Sequence, residues 1–196
     1  MSKKESTRDM IVAKAAVLFN KQGFSGTSMS DLMEVTGLTK GGLYGNFKSK
    51  EEIAEAAFDY AVQQIWDLIS VRTQAMENSV DKLCEVVRFY EEHITRPPID
   101  GGCPILNAGA ETDYHNTYMQ PRVKHAISIW HKRLSKTIQK GIEKGEIKED
   151  VVPEDFATIF IACIEGGALL SQVQKSNDHF SRIARFLQNE LQKIRS

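Results

Sequence analysis

Residues 28–47, SMSDLMEVTGLTKGGLYGNF, constrain the fold more than any other stretch of this sequence. A first amphipathic segment begins at Ser28, which has an acidic residue three positions later as in a capping box, and it ends at Gly37. A second short helix is predicted from residue 39 or 40 to about Phe47, with Leu43 and Phe47 facing inward. The glycine-containing turn between them predicts a helix-turn-helix, which would set the second helix in the major groove of DNA. The same helix–helix angle also occurs in packing motifs that never touch DNA.

The rest of the chain follows the period of amphipathic helices, and no segment alternates apolar and polar residues convincingly over five or more positions. The sequence therefore predicts an all-α protein of about nine helices. The predicted helices cover residues 7–22, 28–37, 40–47, 49–69, 80–95, 104–114, 121–144, 154–174 and 178–194. We expect a three-helix helix-turn-helix domain at 1–50, with its motif at about 28–47, and a larger helical domain at 51–196. No apolar run approaches the roughly 18–20 residues of a membrane span, so we expect no membrane partner.

Charge is distributed unevenly along the chain, although the formal net charge is only −1. Residues 1–50 carry eight Lys and Arg against four Asp and Glu, whereas residues 51–196 carry 17 against 22. A basic head on an acidic body is the asymmetry expected when one end meets phosphates. A split of this size also arises by chance fairly often, so charge alone does not identify the partner.

The second helix of the motif carries few long polar side chains. Lys40 lies at its start, where free N–H groups already favour a phosphate or a base acceptor. Tyr44 and Asn46 flank the inward-facing positions, so both are expected to point outward, towards phosphates or a thymine methyl group. Gly41 and Gly42 are poor helix formers, and their presence indicates that close approach of the backbone matters there.

Two lysines, Lys48 and Lys50, lie where the fourth predicted helix begins. In that position they would neutralise phosphates beside the groove, and binding would then weaken steeply with salt. A solvated turn is the ordinary alternative for such a pair.

The run from Ile11 to Ile53 resembles the DNA-binding domain of the TetR family of bacterial regulators, and it covers about a quarter of the chain. The match is carried by Ala15-Ala16-x-Leu18-Phe19, Gly23-Phe24, Thr27-Ser28, Gly37-Leu38-Thr39-Lys40-Gly41-Gly42-Leu43-Tyr44, Asn46-Phe47 and Ser49-Lys50-Glu51. Two positions depart from the family pattern: Met33-Glu34 replaces a pair that commonly contains alanine, and Asn46 replaces a frequent histidine. With the resemblance, the candidate DNA contacts are Thr27, Ser28, Thr39, Lys40, Gly41, Gly42, Tyr44, Asn46, Lys48 and Lys50.

The resemblance implies a homodimer in which the helices at 154–174 and 178–194 form a four-helix bundle with those of a second copy. A two-fold dimer would read a pseudo-palindromic operator in double-stranded DNA. The candidate interface residues are Phe156, Ile159, Phe160, Cys163, Gly167, Leu170, Ile183, Phe186 and Leu187. The small residues Gly166-Gly167-Ala168 would let a partner helix come close. From the residues alone, the same strip is also compatible with an intramolecular core.

The resemblance further implies a ligand cavity in the helical body, with a small-molecule inducer that releases the DNA. The candidate lining residues mix aromatic surface with a few polar groups, as pockets do. They are Trp66, Phe89, Tyr90, Cys103, Asn107, Glu111, Tyr114, Trp130 and Glu165. Each of them is also compatible with an ordinary core or surface position.

These features predict a ligand-responsive transcriptional regulator of the cytoplasm, acting as a repressor. An enzyme is one alternative, but the sequence has no Ser-His-Asp signature, no phosphate-binding glycine loop and no HExxH pattern. His125 and His131 are six residues apart and do not share a helical face, so we expect no metal and no cofactor. The three cysteines, Cys84, Cys103 and Cys163, are widely spaced and suit a reducing compartment. A helical adaptor that retains the head without binding DNA is the second alternative.

Overall fold

The computed structural model describes residues 6–112 and 117–196. Its helices are α1 (Thr7–Gln22), α2 (Met29–Thr36), α3 (Lys40–Tyr44), α4 (Lys50–Gln74), α5 (Ser79–His93), α6 (Pro104–Glu111), α7 (Gln120–Glu143), α8 (Pro153–Gln174) and α9 (Asp178–Lys193), with a short 3-10 helix at Thr117–Met119. The expected all-α fold is confirmed. Within the two described ranges, the only β pairing is an isolated antiparallel bridge between Ile147 and Arg195.

The observed α3 is shorter than the predicted helix, because it ends at Tyr44 instead of near Phe47. The Asn46 side chain is the physical reason: its Nδ2 donates a hydrogen bond to the Gly42 carbonyl at 2.9 Å and closes a turn there. The Phe47 N–H donates to the Leu43 carbonyl at 3.0 Å. Phe47 still reaches the core, where only 2% of it is exposed.

Side-chain caps set the starts of the head helices. The Ser28 hydroxyl accepts a hydrogen bond from the Asp31 N–H at 3.2 Å, and Asp31 Oδ2 accepts from the Ser28 N–H at 2.7 Å, which completes the predicted capping box of α2. The pattern Ser49-x-x-Glu52 also predicts a capping box at the start of α4, but this box is only half formed. The Ser49 hydroxyl accepts from the Glu52 N–H at 3.2 Å, but the Glu52 carboxylate accepts from the Lys48 N–H at 2.7 Å.

The chain divides into two compact units whose limits differ from the expected boundary at residue 50. The first unit comprises the chain through Ile65 together with Ile99–Lys124, and the second comprises Trp66–Pro98 and His125–Ser196. Two of the three boundaries therefore fall inside α4 and α7, and the third falls in the loop between α5 and α6. Fully buried side chains of the first unit include Ile11, Phe19, Leu32, Leu43, Ile53 and Met119.

Within the first unit, the loop before α6 is fixed to the end of α1. Gly101 has φ +112°, and a Cβ there would lie 2.5 Å from the Asn20 carbonyl oxygen, so only glycine fits. The buried Asn20 side chain donates to the carbonyls of Asp100 and Gly102, each at 3.0 Å. Asn107 Nδ2 donates to Asn20 Oδ1 at 2.9 Å. The unit therefore joins a segment remote in sequence to the helix that supports the helix-turn-helix.

In the second unit α9 packs against both α5 and α8. A Cβ at Gly167 would lie 2.8 Å from the Phe180 ring, so this glycine allows the close approach of α9 within the chain. α8 is long and apolar enough, by length and composition, to span a membrane, with a mean hydropathy of 1.6 over an 18-residue window, although Glu165 interrupts its apolar run. Only 33% of that window is buried, because α8 presents an apolar face that no other helix of the described chain covers.

Candidate DNA-binding surface and ligand cavity

The exposed surface of α3 and its flanks is small and polar. Thr39, Lys40, Gly41, Tyr44 and Lys48 are all exposed, and 44% of Tyr44 is accessible to solvent. The Thr39 hydroxyl accepts a hydrogen bond from the Gly42 N–H at 3.2 Å and so starts the helix. Lys40 Nζ lies 5.9 Å from the centre of the Tyr44 ring, one helical turn away. We refer to these five residues as the α3 surface.

The two adjacent glycines of α3 are not required by packing within the chain. A Cβ at Gly41 would meet only the Thr39 hydroxyl, at 3.9 Å, and a Cβ at Gly42 would meet Leu38 at an ordinary 3.4 Å. Gly37 differs, because its φ of +74° is left-handed and makes the turn between α2 and α3. The fold would therefore accept a larger residue at position 41, and the glycine there leaves open space on the α3 surface.

Three of the candidate DNA contacts face the protein instead. Thr27 is 2% exposed, and its hydroxyl donates to the Gly23 carbonyl at 2.7 Å. The half-buried Asn46 uses its side-chain amide within the turn that ends α3. Lys50 Nζ donates to the carbonyls of Phe24 at 2.9 Å and Thr27 at 2.5 Å, and so holds the turn between α1 and α2. In the chain without DNA the Asn46 and Lys50 side chains are therefore engaged in structural hydrogen bonds, and their phosphate contacts stay predictions. Ser28 remains exposed at the start of α2.

Arg8 is a residue that sequence analysis missed. Its guanidinium lies 3.9 Å from the centre of the Phe47 ring, donates to the Asn46 carbonyl, and pairs with Glu52 at 3.0 Å. These contacts join α1 to the end of α3 and the start of α4. No local sequence pattern predicts these contacts, because Asn46 and Glu52 lie 38 and 44 residues from Arg8 in the sequence.

The carboxylates of the head are held in their charged forms. The pKa of Asp31 is lowered mainly by the hydrogen bonds from the Ser28 N–H and hydroxyl. The pKa of Glu52 is lowered mainly by the hydrogen bond from the Lys48 N–H and then by the one from Arg8. These carboxylates therefore remain ionised around neutral pH, where they support the caps.

The second unit contains a cavity of about 350 Å³ between α4, α5 and α7. Its lining residues are Trp66, Ile69, Ser70, Thr73, Lys82, Leu83, Val86, Trp130, Arg133, Leu134 and Thr137. Of the predicted lining residues, Trp66 and Trp130 belong to this wall. Tyr90 lies behind Trp130, with ring centres 5.8 Å apart, and Phe89 packs edge-on against Tyr90 at 5.6 Å.

The remaining predicted lining residues lie elsewhere. Asn107 and Glu111 belong to the first unit, where Asn107 bonds to Asn20, and Glu111 accepts from the N–H groups of Phe24 at 3.1 Å and Ser25 at 3.0 Å. They serve the packing of α6 against the head because their side chains satisfy main-chain groups at the end of α1. Cys103 precedes α6 in the same unit without a side-chain capping hydrogen bond, and Glu165 is a half-buried residue of α8 that does not line the cavity. Tyr114 lies outside the described residues.

The candidate interface residues of α8 and α9 fall into two groups. Phe160, Gly167 and Leu187 are buried inside the chain, and Gly167 lies against the Phe180 ring of α9. Ile159, Leu170 and Phe186 are 58%, 45% and 49% exposed, and Phe156, Cys163 and Ile183 are half-buried. Leu169 and Val173 are also exposed, and helical spacing puts them on the side of Ile159 and Leu170. We refer to Ile159, Leu169, Leu170 and Val173 as the α8 face.

Metal and thiol chemistry receive no support from the described residues. Across 6–112 and 117–196, no group of three or more His, Cys, Asp and Glu is placed to hold a metal ion. Burial raises the pKa of both the Cys84 and Cys163 thiols, which disfavours the reactive thiolate form.

The α2–turn–α3 geometry and its exposed polar surface define a helix-turn-helix DNA-binding protein. Two family models match the sequence: "Bacterial regulatory proteins, tetR family" over residues 11–57 and "Tetracyclin repressor-like, C-terminal domain" over residues 79–187. The fold is similar to the crystal structure of a TetR transcriptional regulator from Chloroflexus aurantiacus J-10-FL, with a TM-score of 0.92 and 35% identity over 100% of this chain and 98% of that one. This chain belongs to the TetR family of bacterial transcriptional regulators, and it is a DNA-binding regulator, not an enzyme.

Other relatives extend the comparison. The "HTH-type transcriptional repressor DhaR" of Mycobacterium sp. (strain GP1) is 27% identical over 87% of this chain and 85% of its own length. A cysteine mutant of the TetR family regulator CifR, solved in complex with 26bp double-strand operator DNA, shares the fold with a TM-score of 0.83 and 17% identity, over 98% of each chain.

Proposed function

We propose that the protein is a homodimeric repressor that binds a pseudo-palindromic operator and is released from it by a small molecule. The α3 surface carries the proposal, because its exposed Lys40 and Tyr44 flank a glycine that the fold does not require. Thr39, Gly42 and Lys48 complete the proposed contacts, together with Ser28 at the start of α2. The operator complex of CifR and the repressor name of DhaR support the choice of DNA as partner and of repression as outcome.

Dimerisation is proposed through the α8 face. Its aliphatic side chains are about half exposed in the single chain, and covering them with a second copy would bury apolar surface at about 25 cal/mol per Å². A two-fold dimer presents two α3 surfaces, and this matters because one helix of five residues contacts few bases. The same covering accounts for the apolar character of α8 in a regulator that works in the cytoplasm.

Release is proposed to follow ligand binding in the cavity of the second unit. A ligand shifts the equilibrium only if it binds the DNA-free conformation more tightly, and couplings of this kind are typically about 1–3 kcal/mol. α4 contributes Trp66 and Ser70 to the cavity wall, and the same helix begins beside the α3 surface at Lys50. α4 is therefore the element whose position the ligand would bias.

The proposed function is tested by measuring binding of the purified protein to its own upstream intergenic DNA between about 50 and about 200 mM salt, where phosphate contacts change affinity strongly. Lys40→Ala and Tyr44→Ala should weaken binding and change which operator variants are preferred. Lys136→Ala removes an exposed lysine of α7 and should change neither property. Failure to bind this DNA at the lowest salt, with and without cell extract, would favour the adaptor alternative.

A further inference from the structure

The cavity in the second unit has an unusual charge balance for an apolar pocket. Its described lining contains two cationic side chains, Lys82 of α5 and Arg133 of α7, and no carboxylate. Neither cation takes part in a salt bridge among the described residues, although the same region pairs Arg72 with Glu85 at 2.5 Å and with Glu92 at 2.6 Å. Small-molecule sites use a few such polar groups to fix the ligand's orientation and identity.

The Arg133 guanidinium is positioned by an aromatic ring. Its central carbon lies over the Trp66 ring, 4.5 Å from the ring centre, as in a cation–π contact. A guanidinium carries five N–H donors in a fork, so a contact of this kind leaves donors for a carboxylate or sulfonate. The Trp66 ring therefore positions Arg133 at the cavity and leaves it able to bind an anion.

The wall has three hydroxyl-bearing residues, Ser70, Thr73 and Thr137, and both threonine hydroxyls are engaged within their own helices. Thr73 Oγ1 donates to the Ile69 carbonyl at 2.9 Å, and Thr137 Oγ1 donates to the Arg133 carbonyl at 2.9 Å. Their protons are thus used by their own helices. Lys82 acts electrostatically on the Glu146 carboxylate, which does not line the wall and accepts a hydrogen bond from the Ser79 N–H at 2.7 Å. The cavity is left with positive charge for a ligand.

The rest of the wall is apolar and includes two indole rings. Trp66 and Trp130 are almost fully buried, and Leu83, Val86 and Leu134 complete the apolar surface. The volume of about 350 Å³ is at the small end of the roughly 300–1,000 Å³ range of small-molecule sites. A compact ring system fits these dimensions and the flat indole surfaces better than a bulky or strongly hydrated molecule does.

We propose that this cavity binds a compact aromatic anion, an acid whose ring system lies between the tryptophans and whose anionic group contacts Lys82 and Arg133. This inference rests on the proposed function for the ligand's role as effector. Its chemistry can be tested without DNA.

The test uses two fluorescent probes that differ in charge: 1-anilinonaphthalene-8-sulfonate and its uncharged counterpart N-phenyl-1-naphthylamine. Fluorescence titration of the full-length protein should show the sulfonate binding at least about tenfold more tightly than the neutral probe, a difference of about 1.4 kcal/mol. Arg133→Gln and Lys82→Gln should each weaken sulfonate binding about fivefold and leave the neutral probe unchanged. Lys132→Gln removes the exposed lysine beside Arg133 and should change neither affinity.

A blocked cavity separates this site from other apolar surfaces. Ser70→Phe should abolish the part of the sulfonate binding that depends on Arg133, while melting temperature reports whether each variant is folded. Equal affinity for both probes, or sulfonate binding that is insensitive to Lys82, Arg133 and Ser70 substitutions, would overturn the proposal. DNA affinity is then measured with the sulfonate present. If the cavity prefers the sulfonate through Lys82 and Arg133 but the sulfonate does not weaken DNA affinity, the ligand class is supported and only the effector role is contradicted.

Discussion

The α3 surface and the α8 face are both exposed, but they differ in what they present to solvent. The α3 surface consists of a lysine pair, two hydroxyl-bearing side chains and a bare glycine, held from behind by Arg8. The α8 face consists of four aliphatic side chains, each between 45% and 69% exposed. Polar groups are already solvated and gain little when covered, whereas aliphatic groups gain from every covered Å². The α8 face is therefore suited to tight binding of another protein surface, and the α3 surface is suited to specific recognition of a polar partner.

The largest expected effect comes from placing a charge on the α8 face. Leu170→Glu would bury an unpaired carboxylate in the proposed dimer, which is strongly unfavourable. We expect the dimer dissociation constant, measured by sedimentation equilibrium, to rise at least about 100-fold, or about 2.7 kcal/mol. Leu68→Glu is the matched control, because Leu68 of α4 is 43% exposed and Leu170 is 45% exposed. Equal dissociation constants for the two variants would remove the α8 face as the dimer interface.

A smaller effect is expected from adding one methyl group to the α3 surface. Gly41→Ala has open space within the chain, and alanine favours helix by roughly 1 kcal/mol, so the melting temperature should stay the same or rise. If the backbone at Gly41 contacts DNA closely, the added methyl should cost about 1–3 kcal/mol of binding, as in other well-packed contacts. Operator affinity measured by fluorescence anisotropy should fall about tenfold or more. Unchanged affinity with a raised melting temperature would mean that Gly41 does not approach the DNA.

Arg8 tests whether the α3 surface depends on support from behind. Arg8→Ala removes the contact with Phe47, the hydrogen bond to Asn46 and the exposed pair with Glu52, so the free energy of unfolding should fall by about 1–2 kcal/mol. Operator affinity should fall several-fold, with an unaltered slope of affinity against salt, because Arg8 positions α3 and neutralises no phosphate. Lys14→Ala is the control, an exposed cation on the same helix. A reduced salt slope for Arg8→Ala would instead make Arg8 a phosphate contact.

Local patterns predicted much of this fold, while contacts between distant segments were not predictable. The Ser28 capping box involves a partner three residues away, as does a second box that the structure shows between Ser6 and Asp9 at the start of α1, and both helices begin where the sequence indicates. The apolar strip of α8 was visible too, but its division into inner and outer sides depends on how α9 approaches Gly167. Arg8 shows most clearly what local patterns cannot predict, because the residues that its side chain contacts are brought near it only by the fold.

Lys50 and Lys48 differ in role although they are close in sequence: we expect Lys50 to support the fold of the head and Lys48 to contact DNA. The two lysines are two residues apart, yet Lys50 donates to the Phe24 and Thr27 carbonyls while the Lys48 side chain is exposed. Lys50→Met keeps the aliphatic stem and leaves two partly buried carbonyls without this donor, so the free energy of unfolding in urea should fall by about 1 kcal/mol.

Operator binding distinguishes the same two lysines by their salt dependence. Lys48→Met should lower the slope of log affinity against log salt by about one phosphate's contribution, while leaving the free energy of unfolding unchanged. Lys50→Met should leave that slope unaltered, because its ammonium group is engaged within the head. If the slope falls equally in both variants, the Lys50 ammonium must leave the carbonyls of the α1–α2 turn when DNA binds, and the α3 surface must then extend to include it.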